Sequence, residues 1–282
     1  MKKYFIFYLL ILLVACKQNI KEINNEFTYT PPNDYKLWNI KGKVKRLVEE
    51  SYTVSYINNK WYENKLINKV IYNFNNLGFI EWSQFYDANG KLISENQYKY
   101  DKYYKTQWIS KNNEKIDTVK YLNKYNKDGL LIETQTLNNN NKSKLTFGYD
   151  TAKNIIKTVT YDEKGEIIYC SLFKYDNKNR LVETKNFDKN NHLKNTHIQI
   201  YSGEVDYPAK YLWYDSYNNL IYEYIYEYDK FGNRVKVCIK NSKQEIDCTY
   251  YKYTYDLNNN IIQSIIQRKQ DTIMNKRYIE YY

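Results

Sequence analysis

The chain has 282 residues, of which 35 are tyrosine and only three are proline, a balance that favours pleated structure over helix or disorder. Its formal charge is +11, from 43 Lys and Arg against 32 Asp and Glu, but only five of the basic residues are arginine. No basic cluster sits on a nucleic-acid-binding motif, so nucleic acid is excluded as a partner and the charge is read as solvation, with an anionic surface such as lipid headgroups or charged glycan as the remaining use for it.

Residues 1–16 read MKKYFIFYLLILLVAC. Lys2 and Lys3 form a positive start, and the apolar run Tyr4 to Val14 is too short to stay in a bilayer as a spanning helix, which is the pattern of a signal peptide. Leu13-Val14-Ala15-Cys16 resembles the lipobox of bacterial lipoproteins. That resemblance implies cleavage before Cys16 and acylation of Cys16, with the lipid bilayer as partner. Lys17, where lipoproteins retained at the inner membrane of some Gram-negative bacteria carry Asp, implies an outer-membrane address, periplasmic or surface-exposed. Residues 17–36 are polar, Asn-rich and contain Pro31-Pro32, and read as a flexible tether.

From residue 37 to 282 the chain reads as one repeat domain. Its first hairpin joins KGKVKRLVEESYTVSY to KWYENKLINKVIYNF through Asn58-Asn59, a tight-turn pair. Thereafter one motif recurs: an aromatic residue, Asp or Asn, two variable residues, Gly or Asn, any residue, then Leu or Ile. It is read at Phe74, Tyr86, Tyr125, Tyr149, Tyr161, Tyr175, Phe187, Tyr214 and Tyr255, with further copies opening at Tyr228 and, degraded, at Tyr100; starts lie mostly 12 or 14 residues apart. Asp or Asn suits the first position of a type I turn, and the fourth position must take positive φ, which Gly and Asn tolerate. A type I turn closed by a left-handed residue is a three-residue hairpin loop with a bulge. In that register Tyr161 faces Ile167, Tyr175 faces Leu181 and Phe187 faces Leu193. The fold class expected is all-β: a long antiparallel meander of roughly sixteen to eighteen strands, built of β-hairpin repeats that form one twisted or partly rolled sheet.

The Tyr-Asp-x-x-Gly units from about Phe74 to Ile261 resemble YD repeats of the Rhs type, in which each repeat is a β-hairpin of a long coiled sheet. The cadence of Tyr86 to Leu92 is similar to MORN-like antitoxin repeats, the second family considered. A membrane-spanning barrel is not expected, because LVETKNF, LKNTHIQI and LIETQTL place charged or amide groups on both faces.

Fitting the repeat to CIKNSKQEIDC, with Lys240 in the aromatic position, sets Cys238 directly opposite Cys248 in a non-hydrogen-bonded pair, where a Cα separation of about 4.5 Å suits a disulfide. A disulfide and two buried thiols both fit that register. Cys170 falls on the opposite face and reads as a small buried side chain. His192 and His197 have opposite parity and read as surface residues, and no metal or cofactor is expected. Asp87, Asp150, Asp162, Asp176, Asp188, Asp215, Asp229 and Asp256 are taken up by turns. No catalytic motif appears. The candidate binding face is the tyrosine stripe Tyr222, Tyr224 and Tyr226, joined by Tyr250, Tyr251 and Tyr253, with Trp213 nearby. Covering a single-layer sheet explains these rings first; stacking on sugar rings or on a partner strand explains them second. A bulge near Thr249 to Tyr251 is expected to shift the face of that strand. The function expected is a non-enzymatic, outer-membrane-anchored binding or scaffolding module for an envelope glycan or protein; the rival is an immunity or antitoxin-like protein that neutralises a toxin through a sheet edge or its aromatic face.

Overall fold

The computed structural model describes residues 32–101, 103–112, 115–138 and 141–282. The expected signal peptide, Cys16 and tether residues 17–31 lie outside the described residues. A four-residue helix, α1 (Asp34–Leu37), is followed by β1 (Val44–Ile57), β2 (Lys60–Phe74), β3 (Ile80–Tyr86), β4 (Leu92–Asp101), β5 (Tyr104–Asn112), β6 (Ile116–Tyr125), β7 (Leu131–Asn138), β8 (Asn141–Tyr149) and β9 (Ile155–Tyr161). The second half holds β10 (Ile167–Tyr175), β11 (Leu181–Asp188), β12 (Leu193–Tyr201), β13 (Pro208–Asp215), β14 (Leu220–Tyr228), β15 (Arg234–Asn241), β16 (Ile246–Tyr255), β17 (Ile261–Gln267) and β18 (Thr272–Tyr281).

All eighteen strands belong to one antiparallel sheet. The expectation of an open sheet is corrected at its ends. β1 pairs with β2, and also with β18 from Val44↔Tyr281 to Thr53↔Ile273, so the first and last strands satisfy each other and the meander closes into a barrel. An exposed edge presents unpaired N–H and C=O groups along its length, and closure removes them. Nothing local in either strand's sequence marks it as a partner of the other, which is why the repeat reading stops short of closure. Within this sheet the chain packs as two compact units, one built on Tyr121–Tyr224 and the other on residues 32–120, 225–240 and 245–282.

The turns follow the repeat. In the copy at Tyr161, the Asp162 amide donates to the Glu166 carbonyl at 2.9 Å and the Gly165 amide to the Asp162 carbonyl at 3.1 Å. Asp162 Oδ1 accepts from the Lys164 and Glu166 amides, both at 2.9 Å. The same bonds recur at Asn75, Asp87, Asp176, Asp188, Asp215, Asp229 and Asp256. The fourth residue is left-handed throughout: Gly165 at φ +81°, Asn179 at +60°, and even Lys153 and Gln244 at +67°. The two lysine and glutamine cases are where the motif is hardest to see in sequence. Tyr161 stands opposite Ile167, Tyr175 opposite Leu181 and Phe187 opposite Leu193. Asn58 and Asn59, at φ +50° and +61°, close the β1–β2 hairpin.

The motif's tyrosine does more than face an aliphatic partner. Its hydroxyl donates to the carbonyl of the apolar residue that closes the preceding turn at the same end: Tyr100 to Ile80 at 2.9 Å, Tyr149 to Leu131 at 2.8 Å, Tyr175 to Ile155 at 2.9 Å and Tyr201 to Leu181 at 3.0 Å. Tyr255 and Tyr281 instead reach the turn carboxylates of Asp229 and Asp256. These hydroxyls staple their hairpins to earlier ones, which accounts for tyrosine at these positions where phenylalanine would pack equally well. Arg180 adds a cation–π contact over Tyr201, 4.4 Å from the ring centre.

Two apolar clusters lie in the two units. In one, Val159, Cys170 and Phe187 are buried against Tyr161, Ile167, Leu172 and Leu193. In the other, Ile40, Val44, Leu47, Phe74 and Ile80 are covered by Tyr35, Tyr72 and Tyr98. The second cluster includes α1, so residues 33–36, expected as tether, are packed: Asn33 caps the helix by accepting from the Lys36 amide at 3.0 Å, Asp34 Oδ2 accepts from the Ile80 amide at 2.7 Å, and Tyr35 lies 5.1 Å from Phe74. Gly78 permits this, since a Cβ there would come within 2.5 Å of the Asn33 and Tyr35 side chains. Charged groups cross strand middles, as in Lys210–Glu223 and Lys124–Glu133, both at 2.8 Å, while alternate positions carry Ser171 and Asn186. Among the described residues, these charged and amide groups interrupt any apolar band on the strands that carry them.

Gly165→Ala, where a Cβ meets nothing within 4 Å, tests the left-handed turn alone and is expected to cost about 1–2 kcal/mol. Tyr175→Phe tests the staple and is expected to cost about 0.5–1.5 kcal/mol. Urea unfolding midpoints of the two variants check both.

Candidate functional site

Alternation along β11 to β14 puts one set of polar and aromatic residues on a shared face. Asn186 stands opposite Asn195 and Thr184 opposite His197; His197 in turn stands opposite Trp213, and Gln199 opposite Tyr211. Tyr222 and Tyr224 of β14 complete the group, with ring centres 5.6 Å from Trp213 and 5.6 Å from Tyr211 respectively. His197 stacks on Trp213 at 5.5 Å and 19°.

Two short runs of hydrogen bonds converge on Asn195 Oδ1 through these residues. Ser171 Oγ donates to Asn186 Oδ1 at 2.8 Å, and Asn186 Nδ2 donates to Asn195 Oδ1 at 2.6 Å. His197 Nε2 lies 2.8 Å from the same Asn195 oxygen, which can only accept, so Nε2 carries the proton. Burial holds the His197 pKa below its ordinary value, so the ring is neutral and Nδ1 accepts from the Tyr211 hydroxyl. Asp215, opposite Asn195 in register, is not part of either run. Its oxygens accept from the Asn219 side chain and the Asn219 and Tyr217 amides, which hold its carboxyl below the usual range. The face therefore presents aromatic rings, the Asn195 amide and a neutral imidazole, and Asp215, its register neighbour, is already committed.

Of the stripe expected from sequence, Trp213, Tyr222 and Tyr224 meet in this group. Tyr226, Tyr250, Tyr251 and Tyr253 belong to the other unit. There Tyr251 and Tyr253 stack at 6.2 Å and 16°, and Arg234 lies 4.6 Å from the Tyr226 ring centre. Burial pushes the Tyr253 hydroxyl up to about 12. Tyr250 is corrected: it points to the other face, opposite Lys236, and is exposed. The bulge expected near Thr249 to Tyr251 is absent, because pairing is regular from Lys240↔Ile246 to Lys236↔Tyr250 and onward to Thr254↔Gln263. The odd residue is absorbed at the turn, between Thr254 and Tyr255.

His197 and Tyr211 were not expected in the site. His197, read as a surface residue, is half-buried, whereas His192 is exposed. The shared parity of Asn195 and His197 is visible in the sequence; the pairing of His197 with Trp213 is not, because the connection from Ser202 to Tyr207 lacks the repeat that fixes register elsewhere. Cys238 stands opposite Cys248 with a Cα separation of 4.1 Å, and the two are bonded.

His197 has a folded pKa below its unfolded value of 6.5, so the unfolded chain binds more protons between those two values. Stability is then full above pH 6.5 and falls as pH drops through that window toward the folded value. Thermal midpoints followed by Trp fluorescence are expected to drop on acidification over this range in wild type and to respond less in His197→Gln. Separately, Cys238→Ser with Cys248→Ser is expected to cost about 3 kcal/mol, and mass spectrometry with and without reductant reports the bond directly.

No protein-family model matches the chain, and none of the curated proteins matches it. Among solved structures it is similar to a porin-like protein from Bacteroides uniformis, at 9% identity and a TM-score of 0.45, covering 85% of this chain and 99% of that one. It is similar to a porin-like protein from Bacteroides vulgatus at 12% identity and a TM-score of 0.34, with the same coverage. A third likeness is to the Tc holotoxin pore of Photorhabdus luminescens, at 9% identity and a TM-score of 0.22, covering 89% of this chain and 20% of that one. At these scores the likenesses carry no functional information.

Proposed function

We propose that the protein is a non-enzymatic lipoprotein, anchored to the outer membrane through acylated Cys16, whose sheet binds an envelope component, with a glycan favoured over a protein. The observation that carries this reading is the ring group of His197, Tyr211, Trp213, Tyr222 and Tyr224 bordered by the half-buried amide of Asn195, which buried Asn186 holds in place. A sugar ring has an apolar C–H face and a hydroxyl rim. Aromatic faces stack on the first, and amides, which both donate and accept, suit the second. The commitment of Asp215 to its own turn supports a binding rather than a hydrolytic role, since acid–base chemistry on a sugar needs two carboxyl groups disposed around the bond to be cut.

The antitoxin-like rival loses one of its two routes, because the pairing of β1 with β18 occupies the edges a partner strand would extend. Its second route, the aromatic face, is the one the experiment separates. Mature protein is used to capture material from envelope extract, with the extract treated beforehand by protease or by periodate. Capture is expected to survive protease, to be lost on periodate, and to fall about tenfold or more in Trp213→Ala and Tyr222→Ser. Capture that is lost on protease and survives periodate contradicts the glycan reading.

A further inference from the structure

One end of the second unit gathers large apolar side chains that its own fold covers only in part; Trp38 leans edge-on against Tyr72 at 4.7 Å and keeps its outer edge exposed. α1 lies there, tied to the turn at Asn75 by the Asn33 side chain donating to the Leu77 carbonyl at 2.6 Å and by the Tyr35 amide donating to the Gly78 carbonyl at 3.3 Å. The segment after α1 reaches two further turns: Asn39 Nδ2 donates to the Phe231 carbonyl at 3.2 Å, and the Lys41 amide to Asn260 Oδ1 at 2.7 Å. These contacts hold the tips of three turns beside α1. Exposed among them are Leu37 at 66%, Leu77 at 47% and Leu257 at 102%, with Trp38 at 38%.

Lysine is in excess at this end. Lys36, Lys41, Lys43 and Lys230 are exposed. Of the carboxylates, Asp34 is spent on the Ile80 amide, Asp229 on the Phe231 and Asn233 amides, and Asp256 on the Asn258 and Asn260 amides, Glu280 pairs with Lys45 at 2.7 Å, and Glu81 is exposed. The described chain also begins here, at Pro32. Only fifteen residues separate Cys16 from Pro32, so an acylated Cys16 ties the domain to the headgroups at this end rather than at the far hairpin turns.

We propose that this end is a membrane-docking face, on which Leu37, Trp38, Leu77 and Leu257 enter the headgroup region of an anionic bilayer while the four lysines meet its charge. Trp is suited to that depth, with an apolar ring and one N–H donor, and each lysine near an anionic surface adds attraction that salt weakens. The inference rests on the lipid-anchored reading for its orientation, and it fixes which way the sheet stands on the membrane. The opposite turns also expose apolar residues, among them Ile57, Ile116 and Ile246, and Trp61 lies at that end against Tyr56. The far end therefore supplies the control fluorophore.

The full-length acylated protein is reconstituted on vesicles of phosphatidylethanolamine and phosphatidylglycerol whose acyl chains carry bromine, a quencher of Trp fluorescence. Quenching is expected in wild type, lost in W38F and kept in W61F. L37E with L257E is expected to cut quenching roughly twofold or more while flotation with the vesicles persists through the lipid anchor. Anchored protein whose quenching survives W38F, or disappears in W61F, overturns the docking face and leaves the anchor standing. Unmodified Cys16 with no flotation overturns the anchor, and C16S protein then separates the two ideas. Salt-sensitive binding to phosphatidylglycerol vesicles with Trp38 quenched upholds the face without the anchor, and no binding overturns it.

Discussion

The fold depends on one backbone constraint: a residue held at positive φ, four places along a turn that an Asp or Asn side chain closes by accepting two amides. That residue reverses the chain and inserts the bulge that fixes register. Because strand side chains alternate, register decides which residues share a face. The hydrogen bonds that converge on Asn195 exist because successive turns set β10 to β12 in step, so that Ser171, Asn186 and Asn195 line up across three strands. A slip of one residue would scatter them to opposite faces.

The staples tie this local geometry to the array. A turn fixes only its own two strands, and a long meander of independent hairpins would be loosely coupled. The hydroxyls of Tyr149, Tyr175 and Tyr201 couple their hairpins to preceding ones at the turn end, and closure of β1 on β18 couples the last strand to the first. The high tyrosine content follows from that double duty. One ring packs opposite an aliphatic residue within the hairpin, and its hydroxyl satisfies a carbonyl in a preceding one.

Much of this was legible in the sequence, and the gaps have physical causes. The turns, the Tyr161–Ile167 class of pairs and the facing of Cys238 and Cys248 follow from short-range spacing, since hairpin register is local. Closure was not legible, because it joins residues more than two hundred positions apart and depends on the accumulated twist of the sheet. Tyr250 was assigned to the wrong face for a smaller reason: the odd spacing before Tyr255 was placed mid-strand, whereas the bulge belongs to the turn itself. His197 was passed over because a lone histidine carries no signal until its cross-strand neighbours are known, and the connection before β13 is the one place nearby where the repeat does not supply them. Residues 33–36 read as tether because their partners, Phe74, Gly78 and Ile80, lie in distant turns.

The recurrent turn is tested most directly by residue-resolved amide hydrogen exchange in the folded protein. Slow exchange is expected at the first, third, fourth and fifth residues of each turn, for example Asp162, Lys164, Gly165 and Glu166, and again at Asp176, Lys178, Asn179 and Arg180. Uniformly fast exchange through these segments, or protection running on without the turn-by-turn pattern, would contradict the hairpin array on which the sheet and its aromatic face are built.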